Sequence, residues 1–152
     1  MNYQQVFAAL QKHVHSQSEP ELLLLKGHLI LEQCLNELLR VYIADTDALD
    51  KLNLTFSRKL DLLGALGHHR YSPGANGDAQ IRELNRIRNK LAHRLDFEDY
   101  QSDFKRWACS VVGHTPKSMN RRTTYLNTVR RAFVLLAAFL SGVAEAKHDL
   151  SE

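Results

Sequence analysis

The chain has 152 residues, enough for one domain with an adequate core. Its 44% hydrophobic content is that of a globular protein, and its two distant cysteines, Cys34 and Cys109, exclude a disulfide framework and point to a reducing, cytoplasmic compartment. A net charge of +3 is compatible with a polyanionic partner without demanding one, so the distribution of basic residues matters more than their number.

The first residues, Met1 to Gln5, lack a basic start and an apolar run, so no secretory signal is expected there. Val6, Leu10 and Val14 recur at four-residue spacing and predict a helix from Tyr3 to about Val14. Ser18 or Glu19 then caps a second helix, with Pro20 in its first turn, running to about Ala44. That helix is apolar on most sides, from Leu22 to Leu25 through Leu38, Leu39 and Ile43. Its polar stripe of Lys26, Gln33, Asn36, Glu37 and Arg40 is narrow. Such a helix belongs at the centre of a bundle or in an oligomer. Residues 45–53 form a connector with room for a helical turn. Thr55 to Leu66 reads as a third helix stopped by Gly67.

His68 to Gly77 is the clearest loop, with Pro73-Gly74 and Asn76-Gly77 as turn dipeptides, and Asp78 caps the next helix. A fifth helix spans Phe97 to Val111, with Tyr100, Phe104, Trp107 and Val111 on its apolar face. Gly113 to Pro116 breaks it, and a last helix starts at Ser118 or Asn120 and continues to about Lys147. The apolar run Ala132 to Leu140 is too short for a bilayer, which needs about 20 residues, so no membrane partner is expected. The expected fold is an all-α, compact bundle of about five to six helices. It forms a single domain over 1–148, with a frayed tail at 149–152.

The fourth helix carries the strongest signal. Ile81, Leu84, Leu91 and Leu95 recur at three- and four-residue spacings. At roughly 100° per residue Arg88 falls inside that stripe, between Leu84 and Leu91. A fixed positive charge facing a core is costly unless it is paired or placed at a special surface. Asn89 and His93 are four apart and lie together on the flank beside it. Arg82, Arg86, Lys90 and Arg94 share the helix, and Arg121-Arg122 and Arg130-Arg131 flank the last one.

Arg88, Asn89 and His93, with four residues between the Arg and the His, resemble the hallmark of the HEPN superfamily: an Arg, often followed by Asn, then a His, on a late helix of a small helical bundle. The likeness extends more loosely over Leu22 to Leu95, where the long second helix carries an embedded acidic residue, Glu32. The resemblance implies a compact, dimeric all-α fold. Its implied activity is that of a metal-independent endoribonuclease with a toxin or phage-defence role. The implied partners are RNA, a second copy of the chain, and an antitoxin or regulatory protein. Family members that have lost the chemistry serve as binding modules. One toxin subgroup carries a Tyr soon after the His. Here Arg94, Leu95 and Asp96 follow, so that subgroup's regulation is not carried over.

The chemistry suits these residue types. RNA cleavage without metal needs a base for the 2′-hydroxyl, an acid for the leaving 5′-oxygen and a cation for the charge growing on phosphorus-bound oxygens. His93 is the expected base or acid, Arg88 the phosphate clamp and Asn89 the positioning group. The expected product is a 2′,3′-cyclic phosphate, and the reaction calls for no cofactor and no metal. Arg88 and His93 are five residues apart, so their Cβ directions differ by roughly 140°. One copy converges them poorly, whereas two copies about a two-fold axis bring two Arg and two His to one cleft. Glu32, four residues after His28, sits at the apolar margin, and the expected partner of its carboxylate is Arg88 or His93. Arg82, Arg86, Lys90 and Arg94 are the expected RNA-binding residues.

Each residue alone has an ordinary alternative. Arg88 suits a buried ion-pair anchor, His93 a helix C-terminal dipole partner, and Asn89 a plain surface position. His13-x-His15 and His68-His69 lack supporting ligands and read as solvated loops. Tyr71, beside His68, His69 and Arg70, reads first as a surface-loop residue and second as a base-stacking platform. The competing functions are an inactive HEPN-like binding module and a helical transcriptional co-regulator, the latter disfavoured by the lack of a clear helix-turn-helix.

Overall fold

The computed structural model describes residues 3–68, 77–93 and 96–149. Among them there are seven α-helices and no strand. They are α1 (Tyr3–Leu10), α2 (Pro20–Tyr42), α3 (Thr46–Lys51), α4 (Phe56–Ala65), α5 (Gly77–Ala92), α6 (Glu98–Val112) and α7 (Arg122–Asp149). The all-α expectation holds, with one helix more than the sequence pattern predicts. The extra one is α3, which grows from the 45–53 connector because the Asp45 carboxylate accepts the Ala48 amide at 2.9 Å. The first predicted helix ends early, and Gln11–His15 continue it as a single π-helical turn. The last begins at Arg122 rather than at Ser118 or Asn120, which lie in the turn before it.

α2 and α7 are the central pair and run the same way. Arg122 reaches Glu19 at one end, Phe133 lies on Gly27 midway, and Lys147 stands over the Tyr42 ring at the other end. A Cβ on Gly27 would come within 2.3 Å of the Phe133 ring, so only glycine lets the two helices approach so closely. α2 buries Leu23, Leu24, Leu31, Leu35 and Leu38 completely. Each such leucine contributes roughly 1.5–3 kcal/mol. The helix is not covered all round, however: Leu22 and Leu29 are 42% and 58% exposed beside the polar stripe. Its cysteine is interior, and burial pushes the Cys34 thiol up to about 11, which keeps it protonated and unreactive.

α6 closes the other side of the core. Phe104 stacks on Trp107, and both meet Phe133 of α7. The indole of Trp107 donates to the Gln80 carbonyl at 2.8 Å, which ties α6 to the start of α5. Gly77 begins α5 rather than ending a loop, and its missing Cβ makes room for Phe139 of α7. α5 is thereby held against α2, α4, α6 and α7, with one long side left to solvent. Among the described residues no helix is long and apolar enough to cross a membrane.

Candidate functional site

The buried stripe of α5 is Ile81, Leu84 and Ile87, with Leu91 nearly covered. Ile87 decides its direction. Adding it to the expected set turns the stripe away from Arg88, because the two side chains leave the helix roughly 100° apart. Arg88 therefore does not face the core as the spacing predicts. It lies half-buried at the edge of the stripe, on the side toward α2. Leu95 and Arg94 fall outside the described residues.

At that edge Arg88 meets a polar patch built from three helices. His28 of α2 is buried, stacks on Phe56 of α4 with ring centroids 4.2 Å apart, and places Nε2 3.0 Å from Asn85 Oδ1 on α5. Burial holds the imidazole below the ordinary histidine range. The charges of Arg88 and Lys59 push the same way, against the Asn85 hydrogen bond and Glu32. His28 is thus neutral near pH 7, with Nε2–H donating to the amide oxygen. The His28–Asn85 pair lies near enough to Arg88 for the guanidinium charge to act on the imidazole. Glu32 does not take the expected partner. Its Oε1 is 2.6 Å from Lys59 Nζ on α4, and it pairs with neither Arg88 nor His93. The docking of α4 against α2 brings the Lys59 ammonium to this carboxylate.

On the other side Arg88 Nη1 donates to Asn89 Oδ1 at 3.3 Å. That leaves the Asn89 amide hydrogens turned away from Arg88. Asn89 and His93 are both exposed and line one surface groove of about 450 Å³ with Arg86, Lys90 and Tyr100. The His93 ring makes no hydrogen bond with any described residue, and it sits one residue past α5, where the chain turns. The expected pairing of Asn89 with His93 on one flank is therefore present. Arg88 does not line the same groove, and among the described residues its hydrogen bond to Asn89 is what links it there.

The expected RNA-binding residues are less open than the sequence suggests. Arg82 is paired with Asp61 at 2.9 Å. Arg86 is hydrogen-bonded to Glu83, which holds that carboxyl below its usual range, and lies 3.3 Å from Asp103 of α6. Lys90 is 3.7 Å from the same Asp103 and stands over the Tyr100 ring. These cations form a compensated stripe rather than a bare phosphate rail, because α4 and α6 bring Asp61 and Asp103 to them beside α5's own Glu83. Asn85 and Asp103 are the site residues that sequence reasoning misses. Nothing local marks either; only the packing of α2 and α6 on α5 gives them partners.

Two further expectations change. His68 is not in a solvated loop: it is 1% exposed, and its Nε2 lies 2.9 Å from Asp78 Oδ1. Asp78 sits inside the first turn of α5, beyond the capping position, and anchors this histidine there. His13 and His15 are exposed, on the π-helical turn. His69, Arg70 and Tyr71 lie outside the described residues. Among the described residues no group of three or more His, Cys, Asp or Glu is placed to hold a metal ion.

No family model, no curated protein and no solved structure matches this chain. Its function has to be read from the chemistry of the site.

Proposed function

We propose that the protein is a metal-independent endoribonuclease of HEPN type whose active site is completed by a second copy of the chain. The observation that carries this reading is the placement of Asn89 and His93. A histidine with no described hydrogen-bond partner opens on a groove whose walls also present an amide and two cations, and Arg88 is hydrogen-bonded to that amide from the adjacent face. A group that moves protons must be accessible and uncommitted, and His93 is both. A cation that stabilises a phosphorane must be oriented, and Arg88 is tied to Asn89 by a hydrogen bond. Within one copy the guanidinium and the imidazole lie on different faces of α5. A two-fold axis near the C-terminal end of α5 would bring the Arg88 of each copy to the His93 of the other.

In the proposed reaction His93 of one copy takes the proton of the ribose 2′-hydroxyl. The 2′-oxygen attacks phosphorus, and the bond to the 5′-oxygen breaks. Solvent protonates that leaving oxygen and the imidazolium returns its proton to solvent, so that the product is a 2′,3′-cyclic phosphate. Arg88 and the Asn89 amide hydrogens stabilise the charge on the non-bridging oxygens.

The test is cleavage of a mixed RNA substrate in excess chelator. Wild-type protein should cut and leave cyclic phosphate ends. His93→Ala and Arg88→Ala should each lose at least about a hundredfold in rate, the usual scale for removing a proton-transfer group or a charge-stabilising donor. Cutting that persists in both variants would show that other residues carry the activity. The absence of Arg88 from the groove lined by Asn89 and His93 favours one second reading, a HEPN-like module that binds RNA without cutting it. Folded wild-type protein that binds RNA and leaves it intact would select that reading.

A further inference from the structure

The charges of the groove meet at Asp103. This residue projects from α6 toward α5, and its side chain is only 20% exposed. One carboxylate oxygen lies 3.3 Å from Arg86 Nη2 and 3.7 Å from Lys90 Nζ. The other is hydrogen-bonded to Arg106 Nη2 on its own helix. An anion held by an arginine N–H and a lysine is an arrangement in which proteins also hold a phosphate oxygen, while the Arg86 fork itself lies on Glu83. Here the chain supplies the anion itself. Arg86 and Lys90 are also the two cations that line the groove beside Asn89 and His93. Both are neutralised where a strand would lie.

We infer that Asp103 is an internal competitor of the RNA strand, holding Arg86 and Lys90 on its carboxylate in the free protein and yielding them to strand phosphates on binding. The inference rests on the proposed function for the class of ligand, single-stranded RNA. The exchange is feasible because these pairs are partly exposed: Arg86 and Lys90 keep 42% and 43% of their side-chain surface, and such pairs are individually weak. A phosphodiester oxygen can take the place of the carboxylate oxygen on these cations at little cost. The consequence is selectivity. A strand that offers only charge gains little from the groove, because its phosphates must first displace Asp103. A strand that also contacts Asn89 and His93 recovers that loss. Glu83 acts alongside on Arg86 alone.

The test is the affinity of a short single-stranded RNA across a salt series, measured with His93→Ala in every protein so that nothing is cut. Asp103→Asn should bind roughly tenfold tighter at low salt. It should also steepen the plot of log Kd against log salt by up to about 0.7, because the carboxylate that the wild type releases on binding takes back part of the cations the strand gives off. Glu83→Gln, a milder change on an exposed helix face, frees only Arg86 and should give about half that steepening. Glu145→Gln, an exposed position on α7 with the same change in net charge, should give none. Unchanged or weaker binding by folded Asp103→Asn, an equal gain from Glu145→Gln, or no RNA binding by any form would overturn the inference. The two claims separate cleanly. Tighter binding by Asp103→Asn, with a wild type that cuts nothing, keeps Asp103 as competitor and removes the nuclease. Cutting by the wild type with no change in binding does the reverse.

Discussion

His28 shows how a single buried side chain ties chemistry to stability. Its pKa is lowered from the histidine reference of 6.5, so the unfolded chain binds a proton that the native state refuses just below that pH. Stability from this residue is fully present above about pH 6.5 and is lost as the pH falls toward the lowered native value. Protonation would also place a second cation beside Arg88. His28→Gln keeps a donor for Asn85 and does not titrate. Its stability should fall less between pH 6.5 and 5 than that of the wild type in denaturant unfolding. Equal losses would mean that His28 is not held neutral. The sequence marks His28 only by its distance from Glu32, and it suggests the wrong partner for that carboxylate. A residue's place on a helix wheel is legible in the sequence; the helix that will cover it is not. Lys59 and Asn85 lie 27 and 57 residues away from their partners, and no local pattern encodes such pairings.

At the scale of the element, periodicity is a good guide to type and a weaker guide to orientation. The α5 pattern gives a helix, as found, but four widely spaced apolar positions leave its inward direction loose. Ile87, adjacent to Arg88, settles that direction and moves Arg88 from the core to an edge. The stop at Gly67 was legible, where a positive φ of 76° does what glycine favours, whereas Thr55, read as the first helical residue, is the cap of α4. The α2–α7 contact was not, because Gly27 looks like a helix-weakening residue until Phe133 is placed on it. Two effects oppose each other there. Gly27→Ala gains about 1 kcal/mol in helix propensity. It also forces a methyl group into a fully buried ring, an overpacking that costs roughly 1–3 kcal/mol. Packing should win, and the urea midpoint should fall. A higher midpoint would mean that α2 and α7 are not pressed together at this point.

At the scale of the whole molecule the bundle serves to present one side of one helix. α2, α4, α6 and α7 grip α5, leaving Asn89 and His93 in the open and Arg88 at the seam with α2. In a single copy that leaves the cation and the proton carrier about a third of a turn apart or more, which is the reason for proposing a second copy. The direct measurement is a subunit-mixing experiment on RNA cleavage. Arg88→Ala and His93→Ala proteins are assayed separately, then after unfolding and refolding together. If each composite site takes Arg88 from one copy and His93 from the other, mixed dimers regain one intact site. Random pairing should then restore about a quarter of wild-type activity. Wild-type cleavage with no recovery in a mixture shown to contain mixed dimers would contradict the account.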